Sequence, residues 1–122
     1  MQTITLKQPN GLKVTLSSYG ATIRTIEAPN GDHLALCYDN EADWLSNRAY
    51  LGSTVGRVAN RIADSKYLGE QRVVNLVSNE GVNQLHGGKK GLSHVNWQVL
   101  EHDYINNKVV FRYVSPDNEQ GY

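Results

Sequence analysis

The sequence predicts an all-β chain, an antiparallel β-sandwich built from short strands. Three observations carry this. Apolar and polar residues alternate at a period of two in separate stretches, the mark of strands with one buried face. Gly- and Asn-rich turn signals punctuate the chain where it must reverse. Helix signals are few, and many short strands joined by Gly and Asn turns read as a sandwich.

The elements follow in chain order. Pro9-Asn10-Gly11 is a turn signal, because Asn-Gly readily supplies positive φ. It leads into Leu12, Val14 and Leu16, which alternate with Lys13, Thr15 and Ser17 as a strand does. Pro29-Asn30-Gly31 is a second turn, and Asn40–Asn47 suits one short turn of helix. Trp97 and Val99 start another strand-like run, and Asn106-Asn107 turns the chain after it. Val109, Phe111 and Tyr113 then alternate with Lys108, Val110 and Arg112; both faces are partly apolar, as in a strand within a sandwich. Trp44, Trp97 and Cys37 are expected in the core. No internal repeat and no Ser- or Pro-rich linker divides the chain, so residues 1–122 are expected to form a single domain.

Composition narrows the function. The chain has 122 residues, the size of one domain, with 39% hydrophobic residues and a mean hydropathy of -0.50. Twelve basic and twelve acidic residues cancel, which argues against a nucleic-acid partner, since that needs a clustered basic surface. No apolar run approaches the roughly 20 residues of a membrane span. Met1–Lys7 lacks the charged start and apolar centre of a signal peptide, so the simplest compartment is cytoplasmic. Cys37 is the only cysteine, which rules out an internal disulfide and a Cys cluster for zinc.

Two words in the sequence carry chemistry. Asn83-Gln84-Leu85-His86-Gly87-Gly88 sets a histidine beside two glycines, which lets a polar ring and bare backbone approach a small ligand. Gly56-Arg57-Val58-Ala59-Asn60-Arg61-Ile62-Ala63 adds an amide that donates and accepts and a guanidinium that only donates. Together they suit a polyhydroxylated, uncharged molecule. As whole words they closely resemble the aldose 1-epimerases, also called galactose mutarotases. The resemblance starts near Gly11 and Tyr19-Gly20-Ala21-Thr22-Ile23. It continues through Tyr50-Leu51-Gly52, Val55–Ala63 and Asn79–Gly88, and reaches Ser115–Tyr122.

The resemblance implies a large twisted β-sandwich, the galactose mutarotase-like supersandwich, with a sugar site in a cleft on one sheet. It implies that residues 1–122 are the N-terminal part of such a domain. It also implies an activity: interconversion of the α and β anomers of a free aldohexose such as galactose or glucose. An acid protonates the ring oxygen, a base takes the anomeric proton, and neither metal nor cofactor is required. The histidine acid and the glutamate base that the family uses fall beyond Tyr122. The positions that carry over are Asn60, Arg61 and His86, as binders of sugar hydroxyls, with His86 also supporting catalysis near the ring oxygen. The partner implied is a small sugar, not nucleic acid or membrane. Self-association is expected to cover the open edge of a partial sandwich.

Other readings stand beside this one. A hexose-6-phosphate 1-epimerase is related, but the segments show no added Arg cluster for a phosphate. A non-catalytic sugar-binding sandwich would keep the binding groups and lack the acid and base. A bare structural fragment would do neither. Residue by residue, His86 also fits a turn histidine, Arg61 a surface ion pair and Asn60 a turn cap. Arg57 reads as structural, and Asp117 and Glu119 as loop residues. His33, His94 and His102 match no site position.

Overall fold

Nine strands, all paired antiparallel, carry the regular structure of Met1–Tyr122, which a computed structural model describes in full. In chain order they are β1 (Thr3–Lys7), β2 (Lys13–Ser17), β3 (Thr22–Glu27), β4 (Arg61–Ile62), β5 (Lys66–Leu68), β6 (Val73–Asn75), β7 (Gln84–Leu85), β8 (Gln98–Asp103) and β9 (Lys108–Arg112). One short helix, α1 (Glu41–Ser46), joins them. Contacts gather these elements into two compact units. Met1–Thr54 with Asn96–Tyr113 forms the first, and Val55–Val95 with Val114–Tyr122 the second.

In the first unit β1, β2 and β3 form a meander in that order. The alternation expected of Leu12–Ser17 appears as β2, whose Val14 and Leu16 lie opposite Leu6 and Ile4 of β1. Ile4 is 7% exposed and anchors that face. The pairing of β2 with β3 shifts register between Thr15 and Leu16, a bulge of the kind that bends a strand and tightens its twist. The turn at Pro9–Gly11 closes with the Gly11 amide donating to the Gln8 carbonyl at 3.1 Å. Gly31 takes φ +92 in the second expected turn, and its amide donates to the Ala28 carbonyl at 2.9 Å.

Asn40 begins α1 as a side-chain cap: its Oδ1 accepts from the Asp43 amide at 2.9 Å. Trp44 is buried on the inner side, and its Nε1 donates to the Tyr38 carbonyl at 3.0 Å. Tyr38 meets it edge-on and the Arg24 guanidinium lies over its ring at 5.0 Å. The hairpin β8–β9 turns through residues 104–107. There the Asp103 carboxylate accepts from the Ile105 and Asn106 amides and from the Asn106 side chain. Asn107 takes φ +50 and accepts from the Lys7 amide at 3.2 Å.

Two expectations for the core need correction. Trp97 is half-buried, tilted against Tyr113 with centroids 5.7 Å apart. Cys37 is only partly covered: residues 34–39 form no strand or helix, and Leu34 and Leu36 beside it are 59% and 82% exposed. Its Sγ instead lies 3.5 Å from His33 Nδ1.

The second unit is two short hairpin-like pairs, β4 with β7 and β5 with β6. Its interior is polar as much as apolar. Leu76 is buried, but so are Ser65, Gln84 and Ser93. Such groups stay inside only when hydrogen-bonded. Ser65 Oγ lies within hydrogen-bond distance of Ser78 Oγ and the Val82 carbonyl, at 2.9 and 2.8 Å. Gln84, 1% exposed, donates from Nε2 to the Val77 and Gln120 carbonyls and accepts at Oε1 from the Tyr122 hydroxyl. The last residues are therefore stitched to β7, with the Val77 amide donating to the Gln120 carbonyl at 2.9 Å.

Candidate functional site

Pairing of β4 with β7 sets Arg61 opposite Leu85 and Ile62 opposite Gln84. One step further along the ladder, Asn60 and His86 face each other and exchange two hydrogen bonds. The His86 amide donates to the Asn60 carbonyl at 3.0 Å. The Asn60 amide donates to His86 Nδ1 at 2.9 Å. Both residues sit at positive φ, +69 and +51, a region Asn tolerates well and His less well. The paired bonds hold them there.

The bond to Nδ1 fixes the tautomer. A ring nitrogen that accepts from an amide carries no proton, so the neutral imidazole holds its proton on Nε2. His86 is thereby oriented as a donor at Nε2.

Backbone room is supplied by the glycines after His86. At Gly87, φ is +89 and an added Cβ would lie 1.5 Å from the Gly56 carbonyl oxygen. The two sequence words therefore touch backbone to backbone, and only glycine permits that approach. The Gly56 carbonyl also accepts from the Leu92 amide at 3.2 Å.

Arg61 stands next to Asn60, whose Oδ1 accepts from the Arg61 amide at 3.0 Å. Its guanidinium forks onto Glu80: Nε to Oε2 at 2.6 Å and Nη2 to Oε1 at 2.7 Å. Nη1 approaches Asn60 Oδ1 at 3.5 Å. The fork holds the Glu80 carboxyl below the usual carboxylate range; burial opposes this, and the charge of Arg61 assists. Arg61 is raised in turn, by the same hydrogen bonds first. Both side chains reach solvent, 57% and 37% exposed, so a ligand has access to them.

Asn60, Arg61 and His86 thus come together as one cluster. Glu80 completes it and was not among the residues singled out from the sequence. It lies inside the Asn79–Gly88 stretch, and its backbone exchanges two bonds with Asn83, at 3.1 and 2.9 Å. Beside it Asn79 mimics a strand, its side chain accepting from the Leu85 amide at 2.7 Å and donating to the Leu85 carbonyl at 3.0 Å.

Arg57 takes a different role. Its Nε donates to Ser115 Oγ at 2.9 Å, its Nη2 to the Pro116 carbonyl at 2.7 Å, and its guanidinium lies 5.7 Å from the Tyr122 ring. It ties down the C-terminal segment. Asp117 is exposed there, and Glu119 accepts from Ser115 Oγ. His94 Nδ1 lies 2.8 Å from Ser93 Oγ, and His102 packs on Tyr104 at 3.8 Å. No three His, Cys, Asp or Glu side chains converge closely enough to hold a metal ion.

A family model described as aldose 1-epimerase matches residues 2–122. The chain belongs to the aldose 1-epimerase family. It is 36% identical to the aldose 1-epimerase of Escherichia coli (strain K12) across 98% of this chain and 35% of that protein. It is 37% identical to the galactose mutarotase of Bos taurus, across 94% of this chain and 34% of that one. Among solved structures, a GalM/aldose epimerase homologue from C. elegans superposes with a TM-score of 0.87 at 32% identity. That match covers 98% of this chain and 38% of the other. The chain therefore spans about a third of the length of the curated aldose 1-epimerases it matches. The antiparallel all-β class expected from the sequence is the fold class of these relatives. No helix is long and apolar enough to cross a membrane.

Proposed function

We propose that Asn60, Arg61 and His86 bind hydroxyls of a free aldohexose. Within a protein of the relatives' length, they support interconversion of its α and β anomers. The observation that carries this is the bond from the Asn60 amide to His86 Nδ1, which commits Nε2 to donate. A donor fixed in this way suits the ring oxygen or an adjacent hydroxyl of a sugar, where negative charge grows as the ring opens. Arg61 contributes further donors. Of the five N–H groups of a guanidinium, Nε, one on Nη2 and one on Nη1 are engaged within the cluster. The others suit single hydroxyl oxygens.

A chimera tests the reading. Residues 1–122 replace the matching third of the E. coli aldose 1-epimerase, and polarimetry follows freshly dissolved α-galactose and α-glucose. The chimera is expected to outpace buffer. His86→Ala and Arg61→Ala are each expected to lower kcat/KM by about tenfold, near 1.4 kcal/mol of transition-state stabilisation. His94→Ala and His102→Ala serve as controls. Equal losses at all four positions would mean general destabilisation and would end the site assignment.

A further inference from the structure

We infer that Glu80 sets the charge selectivity of the site: its carboxylate, held across the Arg61 fork, admits neutral sugars and turns away those carrying a phosphate or carboxylate. This rests on the sugar-binding reading above. The Nε–Nη2 edge of a guanidinium is the surface that binds phosphate and carboxylate ligands two bonds at a time. Here that edge is already filled from within the chain, at 2.6 and 2.7 Å. A charged ligand meets a fixed anion where an open fork would have drawn it in. A neutral hydroxyl is not repelled by that charge: it can accept from a remaining N–H or donate to the carboxylate.

The carboxylate is fixed before any ligand arrives. The Glu80 backbone is closed onto Asn83 at 3.1 and 2.9 Å, and Asn79 clips the same turn to Leu85. Glu80 and His86 are held on the same strand pair, Glu80 through the Arg61 fork of β4 and His86 directly after Leu85, which lies opposite Arg61. The formal charges of Arg61 and Glu80 cancel, which leaves the cluster without the net cation an anionic sugar would need.

The test is an NMR titration of the 122-residue chain, following the His86 ring proton while D-galactose, D-galactose 6-phosphate or D-galacturonate is added. Wild type is expected to bind galactose and to bind both anionic sugars more weakly. Glu80→Gln is expected to tighten the two anionic sugars by about fivefold, the scale of one charge acting across screened surface. Glu80→Asp keeps the charge and keeps the discrimination. No variant is needed for a second readout: raising salt from about 0.01 to about 0.5 M shortens the Debye length and should narrow the wild-type difference. Equal shifts for all three sugars in Glu80→Gln, or discrimination indifferent to salt, would overturn the inference. Galactose binding with no charge discrimination sinks it alone, while a wild type that binds none of the three sinks the sugar reading with it.

Discussion

Replacing Gly87 by alanine tests the contact that joins the two sequence words. Gly31 provides an internal reference. The two glycines have nearly the same φ, +89 and +92, so alanine meets similar backbone strain at each. That strain costs about 1–2 kcal/mol, partly offset by about 0.4–1 kcal/mol from a stiffer unfolded chain. At Gly31 nothing lies within 4 Å of the new methyl, and the net loss should be near 1 kcal/mol. At Gly87 the methyl would lie 1.5 Å from the Gly56 carbonyl oxygen and 2.3 Å from its carbon. Backbone cannot swing aside as a side chain can, so the Gly56–Ile62 segment must shift. Overpacking of this kind adds about 1–3 kcal/mol, and losing the Gly56 to Leu92 bond adds about 1 kcal/mol. Gly87→Ala should therefore cost about 4 kcal/mol. At about 4 °C per kcal/mol for a chain of this size, thermal melts should fall by about 4 °C for Gly31→Ala and about 15 °C for Gly87→Ala. Melting curves for the two variants that agree within a few degrees would show that the glycine–glycine approach is not what holds the words together.

Two further outcomes follow from the same structure. The carboxyls of Glu80, Glu27 and Asp103 are each held below their ordinary values of 4.5, 4.5 and 3.8, chiefly by hydrogen bonds from Arg61, Lys13 and the Asn106 side chain. Their contributions are therefore complete above those ordinary values. They fade as the pH drops and the unfolded chain takes up protons first, and are gone below the folded values. Urea titrations at a series of acidic pH values should show a shallower acid limb in Glu80→Gln than in wild type, and identical limbs would contradict the Arg61 fork. Tyr122→Phe removes the hydroxyl that satisfies Gln84 Oε1 in a side chain only 1% exposed. An unsatisfied buried acceptor costs about 1–3 kcal/mol, so the urea midpoint should fall; an unmoved midpoint would show that Gln84 finds another donor.

Strand β2 and strand β9 were legible because they run five residues each, long enough for a period of two to register. Helix α1 was legible as one short turn within Asn40–Asn47, and the structure adds that the Asn40 side chain caps it through Asp43, a contact made entirely within the segment. By contrast β4 and β7 have two residues each, too few to show any period, and yet they position the site. Their place emerged only through the words that contain them. Arg61 shows the limit most clearly. Its neighbourhood to Asn60 is local, but the carboxylate in its fork comes from 19 positions away, and a single Glu in a polar turn carries no mark of its partner. Cys37 misled because an apolar run predicts burial only when a strand or helix carries it inward, and residues 34–39 form neither.

The chain order of the two units has a consequence for synthesis. Each is assembled from two separated stretches, and the stretches interleave: the first unit resumes at Asn96 after the second has begun, and the second resumes at Val114. No single cut yields either unit whole. A nascent chain emerging from the ribosome can form the β1–β3 meander early, since those contacts are local. It cannot seat Trp97 against Tyr113 until Tyr113 has emerged, or pass the Tyr122 hydroxyl to Gln84 until Tyr122 has. Domains made of one continuous stretch can finish folding as they appear. Here neither unit can close on its first stretch alone: one waits for Asn96–Tyr113 and the other for Val114–Tyr122, so early-made strands are held open until distant segments arrive.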